Sequence, residues 1–205
     1  MISLFNKTAI VVGGCGLIGS AIVRVIKECG AKVYIIDPEH DGEEPRADYN
    51  VIVNAAYPKD HNEHLNIFLN VTYNACEDFK RRNCMGSIIN LASIYGVIGP
   101  DDRIYEGTDL SMPQDYSVAK GAIIAHSRCM ATRYAKYGIR VNCVSPGGVY
   151  DNQPEQFVKA YSNRVPLGRM ATPEDIAWPV AFLASDGAGY ITGQNILIDG
   201  GLTAW

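Results

Sequence analysis

Val11-Val12-Gly13-Gly14-Cys15-Gly16-Leu17-Ile18-Gly19 closes one apolar run and opens another of different period. Thr8 to Val12 is short and continuously apolar, as a buried strand is. Leu17 to Cys29 has helical periodicity and is ended by Gly30. Glycines at 13, 16 and 19 let the chain turn tightly between the two and let an anion approach the backbone. The helix N-terminus adds N–H donors and a partial positive charge. A strand, a glycine-spaced turn and a helix in this order make a pyrophosphate cradle, with Gly13, Gly16, Leu17, Ile18 and Gly19 as its contacts. Asp37 lies 18 residues after Gly19, at the end of the next strand. There its carboxylate can accept hydrogen bonds from ribose hydroxyls and repel a 2′-phosphate. No Arg or Lys neighbours the loop to hold such a phosphate, so the cofactor expected is NAD, with NADP disfavoured.

The same alternation continues outward. Strands are expected at Lys32 to Ile36, Val51 to Asn54, Ser87 to Ala92, Ile139 to Val144 and Asn195 to Ile198. Helices are expected at His61 to Asn83, Tyr116 to Tyr137 and Pro154 to Ser162, with another opening at Thr172-Pro173-Glu174-Asp175. Continuously apolar strands alternating with helices imply a parallel sheet covered on both faces. The fold class is therefore α/β, a doubly wound Rossmann-type sheet, expected as a single domain over residues 1–205. One β-α unit is missing. Only 13 residues separate Asp37 from Val51, whereas a β-α-β unit takes roughly 30. Lys32 to Ile36 then becomes a sheet edge, and the adenine side of the cofactor site loses a wall. Weak NAD binding and a mobile segment over residues 38–50 are the expected consequences.

Composition narrows the possible partners. Of 205 residues, 47% are hydrophobic and 20% charged, with a net charge of −4. No basic face for nucleic acid is evident. The longest apolar runs are strand-sized, and the N-terminus carries no basic stretch followed by an apolar one, so no membrane span or signal peptide is expected and the location expected is cytoplasmic. Six cysteines lie without C-x-x-C spacing, which suggests reduced, buried thiols. His61 and His64 lack a third ligand, and no metal site is expected.

Tyr116-Ser117-Val118-Ala119-Lys120 puts a phenol and an amine one turn apart on a helix face. Ser93 ends the fourth strand, on the edge where such folds hold ligands. Tyr116 can give or take the proton of a substrate oxygen, Ser93 can hydrogen-bond that oxygen, and Lys120 can favour the tyrosinate. A cation about 4 Å away at an effective dielectric near 20 supplies roughly 4 kcal/mol, enough to bring a phenol pKa from about 10 to about 7. In isolation such a pair is usually a surface pair; its place after Ser93 gives it meaning.

These motifs, in this order, resemble the short-chain dehydrogenase/reductase family over nearly everything except residues 38–50. Pro146-Gly147, Pro166-Leu167-Gly168-Arg169 and Ile191-Thr192-Gly193-Gln194 belong to the same pattern. The resemblance implies hydride transfer between a nicotinamide and a secondary alcohol or ketone. It implies that Asn70 completes a tetrad by holding a water near Lys120. It implies that Asn54, Ala55 and Ala56 line the cofactor, that Lys120 bonds the nicotinamide ribose and that Pro146, Gly147 and Val149 flank the nicotinamide. It also implies a homotetramer or homodimer. Two departures stand out: the family's Asn-Asn-Ala-Gly reads Val53-Asn54-Ala55-Ala56, and Asp151 stands where Thr is common.

Ser93 and Tyr116 are 23 residues apart, a long gap for the family's short branch. The intervening text, with Tyr105-Glu106-Gly107-Thr108, resembles oxidoreductases of the flagellin modification protein A type, associated with surface-sugar pathways. Asp101, Asp102, Arg103, Tyr105 and Glu106 in this loop suit a small, hydroxyl-rich substrate if they face it; a solvated loop remote from the substrate is the equal alternative. The C-terminal part favours a 3-oxoacyl-thioester reductase. A non-catalytic binding protein with a weakened cofactor site is the third reading.

Overall fold

The computed structural model describes residues 2–38, 48–56 and 61–205, with side chains from residue 65 onward in the last stretch. The expectations for residues 39–47, including their mobility and the adenine wall, lie outside the described residues. Six strands, β1 (Thr8–Val12), β2 (Lys32–Ile36), β3 (Val51–Asn54), β4 (Gly86–Leu91), β5 (Ile139–Pro146) and β6 (Asn195–Ile198), alternate with helices. The helices are α1 (Leu17–Glu28), α2 (His61–Arg81), α3 (Gln114–Tyr134), α4 (Glu155–Ser162) and α5 (Pro173–Ala184). All pairings are parallel, and the strand order is β2-β1-β3-β4-β5-β6. β2 is an edge strand, as the short connection after Asp37 requires. On that side of the switch the sheet has two strands where a full dinucleotide half-fold has three.

The register brings the carboxyl ends level. Val12 lies opposite Ile36 on one side and Asn54 on the other. Asn54 pairs with Asn90, and Asn90 with Cys143. Chain direction reverses its winding at β1, so the loops after β1 and β3 diverge above a crevice where α/β sheets place ligands.

Alternation along β1 sends Ala9 and Val11 to one face and Ile10 to the other. Ala9, Val11 and Val53 pack with Ile22 and Ile26 of α1 and Ile176 and Val180 of α5. Ile10, Ile52 and Ile88 pack with Phe79 of α2 and Met130 of α3. Strands buried on both faces have no polar face to show, which is why they read as unbroken apolar runs. The six cysteines are not uniformly buried: Cys15 and Cys129 are exposed. Among the described residues, no helix is long and apolar enough to cross a membrane.

The expected start of α5 is realised in full. Thr172 Oγ1 accepts from the Asp175 N–H, the Asp175 carboxylate accepts from the Thr172 N–H at 2.7 Å, and Pro173 occupies the first turn. α5 is the helix most closely packed on α1, so its start steadies the helix that opens at the glycine turn. Thr172→Ala should cost about 1 kcal/mol and lower the melting temperature by roughly 2–4 °C, while Thr172→Ser should restore most of the loss. Thermal unfolding followed by circular dichroism measures both.

Candidate active site

The turn after β1 is set by close backbone approach. Gly13 has φ +77°, and a Cβ on it would lie 2.6 Å from the Ala56 backbone. A Cβ on Gly19 would lie 2.0 Å from the Gly13 carbonyl oxygen. Both glycines are therefore demanded by the protein itself. Gly16 is different: its φ is −68°, and a Cβ there would meet nothing nearer than 3.6 Å. Among the described residues nothing fills the space at Gly16, and it opens on a cavity, as a cradle for a pyrophosphate would. The Cys15 N–H donates to Asp37 Oδ2 at 3.0 Å, which fixes the Asp37 carboxylate beside the turn.

That cavity has a volume of about 540 Å³ and sits at the carboxyl ends of the strands. Gly16, Leu17, Ile18 and Gly19 form one wall, joined by Ala55 and Ala56 from the end of β3. Pro146, Gly147 and Val149 after β5 form another. Ser93, Tyr116 and Lys120 all reach it. Three of the expected cofactor positions do not line it: Gly13, which packs on the Ala56 backbone, Asp37, which accepts from Cys15, and Asn54, which is fully buried. Both amide atoms of Asn54 lack a hydrogen-bond partner among the described residues. The phosphate cradle, the alanine floor and the apolar walls fit a dinucleotide. The orphaned Asn54 amide lies directly beneath that floor.

The geometry of the three reactive side chains comes from one tight contact. A 3₁₀ turn, Ile94–Gly96, follows β4, with Ser93 as its cap accepting from the Tyr95 N–H at 3.2 Å. A Cβ on Gly96 would come within 2.8 Å of the Lys120 carbonyl carbon, so the turn lies flat on α3. This brings Ser93 alongside Tyr116 and Lys120 despite the long sequence gap. Lys120 Nζ donates to the Leu91 carbonyl at 3.0 Å and lies 5.6 Å from the Tyr116 ring centre. Beneath it, Thr72 donates to Asn90 Oδ1 at 3.0 Å, Asn90 Nδ2 donates to Ser127 Oγ at 2.8 Å, and the Cys143 thiol donates to Ser127 at 3.1 Å. This buried network ties α2, α3, β4 and β5 together under the site. Burial lowers the Lys120 pKa to about 7, against an upward pull from Cys143.

Asn70 is not brought to this site. The buried face of α2 carries Phe68, Thr72, Cys76 and Phe79, and Asn70, two residues from Phe68, points the other way and is exposed. On α2 it is Phe68, not Asn70, that faces Lys120, with Nζ 5.3 Å from its ring centre. The charged part of the loop after Ser93 is also turned away. Asp101 pairs with Arg103 at 2.8 Å and with Arg164 at 2.6 Å, and of this loop only Tyr105 and Met112 reach the cavity. Of the five loop residues expected to face a substrate, Asp101 and Arg103 thus bond each other, and only Tyr105 lines the cavity. Sequence reasoning missed the side chains that do face the cavity opposite Ser93, namely Tyr95, Phe157, Tyr161 and Met170. The adjacency of Tyr95 to Ser93 was a usable signal. The others arrive from α4 and beyond, with no local sign.

Comparison with known proteins agrees with this geometry. The family described as enoyl-(acyl carrier protein) reductase matches residues 56–203. The 3-oxoacyl-[acyl-carrier-protein] reductase FabG of Chlamydia trachomatis is 31% identical, with 97% of this chain and 98% of the relative covered. The chain belongs to the short-chain dehydrogenase/reductase family. That alignment runs over 257 positions, more than the 205 residues present, so the chain is shorter by internal deletion. Post-translational flagellin modification protein A of Campylobacter coli is 35% identical over 68% of this chain, which there spans about half of the relative, 54%. A short-chain dehydrogenase of Leptospira borgpetersenii, solved with bound NAD+, superposes with a TM-score of 0.85 at 31% identity, covering 98% of this chain and 94% of that one. The chain is accordingly an oxidoreductase of this family.

The lysine carries a pH signature. Burial depresses its folded pKa from 10.5 to about 7, so between those values the unfolded chain binds more protons and stability rises with pH. The full cost is present below pH 7 and is gone above 10.5. Lys120→Met should therefore be stabilising at pH 6–7 relative to wild type, with an advantage that shrinks as pH approaches 10.5. Melting temperatures measured across this range test it; a difference independent of pH would contradict a buried amine.

Proposed function

We propose that this enzyme is NAD-dependent and interconverts a secondary alcohol and a ketone on a sugar or sugar nucleotide. The convergence of Ser93, Tyr116 and Lys120 on a cavity that begins at Gly16 carries the reading. A nicotinamide bound along this cavity supplies the acceptor or donor of the hydride. Tyr116 holds the proton that leaves or joins the substrate oxygen, Ser93 positions that oxygen, and Lys120, where protonated, stabilises the tyrosinate. In oxidation the substrate C–H electron pair leaves as hydride and its O–H proton goes to Tyr116. Asp37, held beside the cradle by Cys15, supports NAD over NADP by repelling a 2′-phosphate. The NAD+ bound by the Leptospira relative is consistent with that preference.

For the substrate, two observations favour a ring over a chain. The rings of Tyr105, Phe157 and Tyr161 pack in tilted pairs, with ring centres 5.4 Å and 5.9 Å apart, and line the cavity. Such faces suit the apolar face of a pyranose. The resemblance of the loop to flagellin modification protein A type oxidoreductases, associated with surface-sugar pathways, points the same way, and a protein of that name from Campylobacter coli is among the relatives. The competing thioester-reductase reading rests on the FabG relatives. A screen of sugar nucleotides against a 3-oxoacyl thioester, with NADH and NADPH in parallel and absorbance as readout, separates the two. A non-catalytic role predicts no turnover at all. Trp178 and Phe182 on α5 and Leu197 on the β6 edge expose apolar surface that a homo-oligomer would cover.

Tyr116→Phe should remove at least nine-tenths of turnover while leaving NAD affinity and the melting temperature close to wild type, because only the O–H is lost. Gly16→Ala and Gly19→Ala should part company. The first should fold normally and bind NAD at least about tenfold more weakly, since its methyl group occupies only the cradle. The second should fail to fold or melt far lower, since its methyl group collides with the Gly13 carbonyl. Calorimetric titration and thermal melts distinguish them.

A further inference from the structure

Three separate bonds hold the loop between Ser93 and α3 in place, one of them to α4 and one to Arg164 just beyond it. Arg164 pairs with Asp101 at 2.6 Å, and the Gln156 amide donates to the Glu106 carbonyl at 3.0 Å. The Tyr95 and Tyr105 hydroxyls hydrogen-bond each other at 3.0 Å. The first two bonds are peripheral. The third faces the cavity, and both phenols line it. Tyr95 rises from the same turn as Ser93, two residues on, and Tyr105, Tyr116 and Tyr161 line the same cavity. Four phenols thus surround the place where Ser93 and Tyr116 would hold a substrate oxygen.

Two phenols bonded to each other use one of their two O–H groups. The pair keeps one O–H to donate and lone pairs to accept with. The same cavity is lined by the apolar side chains of Met112, Phe157 and Met170, and also by Asp151, Gln153 and Tyr161. Burial, and then the bond to Tyr105, hold the Tyr95 pKa well above the usual phenol range, so Tyr95 stays neutral and does not compete with Tyr116 as the acid. An apolar chain in this place would leave a donor unpaired in a desolvated wall, whereas an oxygen on a carbon beside the reacting one would meet it.

Resting on the assignment of Ser93, Tyr116 and Lys120 as the reacting group, we propose that the Tyr95–Tyr105 pair is a specificity-determining contact for a second substrate oxygen, on a carbon adjacent to the one oxidised. The substrate class is then a ring carrying a vicinal diol or an α-hydroxy ketone. A site built to hydrogen-bond a substrate hydroxyl rejects an analogue lacking it far more strongly than an apolar pocket rejects one methylene.

The test uses ring probes of matched size: trans-cyclohexane-1,2-diol against cyclohexanol with NAD+, and 2-hydroxycyclohexanone against cyclohexanone with NADH. A 3-oxoacyl N-acetylcysteamine thioester with NADH is the third comparison. Wild type should favour each hydroxylated ring by about 10- to 100-fold in kcat/KM, and Tyr105→Phe should collapse that ratio to below about threefold, as one O–H of the pair is lost. Tyr95→Phe is the second variant, used if Tyr105→Phe loses its fold by circular dichroism. Equal use of hydroxylated and plain rings by wild type, a preference that survives the substitution, or faster turnover of the thioester than of either hydroxylated ring overturns the inference while leaving the oxidoreductase reading intact. No turnover of any probe by a wild-type enzyme that binds NAD+ overturns both.

Discussion

Everything at the carboxyl edge of this sheet depends on how closely the turn after β1 packs on the end of β3. Gly13 and Ala56 meet backbone to backbone, with no room for a side chain between them. That contact fixes where α1 begins, because Gly19 is pressed against the Gly13 carbonyl in turn. It fixes the floor of the cavity, because Ala55 and Ala56 must be small where the turn crosses them. It also decides which glycine is left over for a ligand: Gly16 alone of the three has space that no protein atom fills. A cradle for phosphate is thus the residue of a packing problem already solved by its two neighbours.

The same economy of backbone approach assembles the reactive trio. Ser93 and Tyr116 are far apart in sequence, and an inserted loop of that length could place them anywhere. What constrains them is Gly96 lying on the backbone of Lys120 and Gly121, which pins the chain within three residues of Ser93 before the loop departs. The loop can then vary without moving the chemistry. Its charges are spent on each other and on Arg164, and its one cavity-facing phenol is tethered by Tyr95. The buried bonds from Thr72 through Asn90 and Ser127 to Cys143 hold the helices and strands below Lys120, so its ammonium is confined rather than hydrated.

How much of this was legible follows from how local each signal is. The glycine turn, the strands and the Tyr-Lys pair are short-range patterns, and the structure realises them within a residue or two. The edge position of β2 was legible by counting, since 13 residues cannot hold a helix, a strand and a second helix. Asn70 was not legible. Its place by resemblance is sound as sequence, but a helix turns 100° per residue, and the face of α2 that meets the sheet runs through Phe68 and Thr72. Nor was the loop legible: Asp101 and Arg103 look like substrate ligands until Arg164, some sixty residues later, appears beside them. Side chains whose partner is remote in sequence carry no local sign of which way they face.

The deletion after Asp37 weighs on one half of the molecule and spares the other. The phosphate turn depends on β1, β3 and α1, and the reacting trio depends on β4 and α3, all of which are present and level with one another. Asp37 follows the edge strand, and its carboxylate accepts from the Cys15 N–H of the glycine turn. The bond from the Cys15 N–H thus sets the Asp37 carboxylate against the glycine turn at the sheet edge. A sheet can shed its outermost strand in this way because the switch point is built from β1 and β3, and β1 keeps β2 as its partner on the other side.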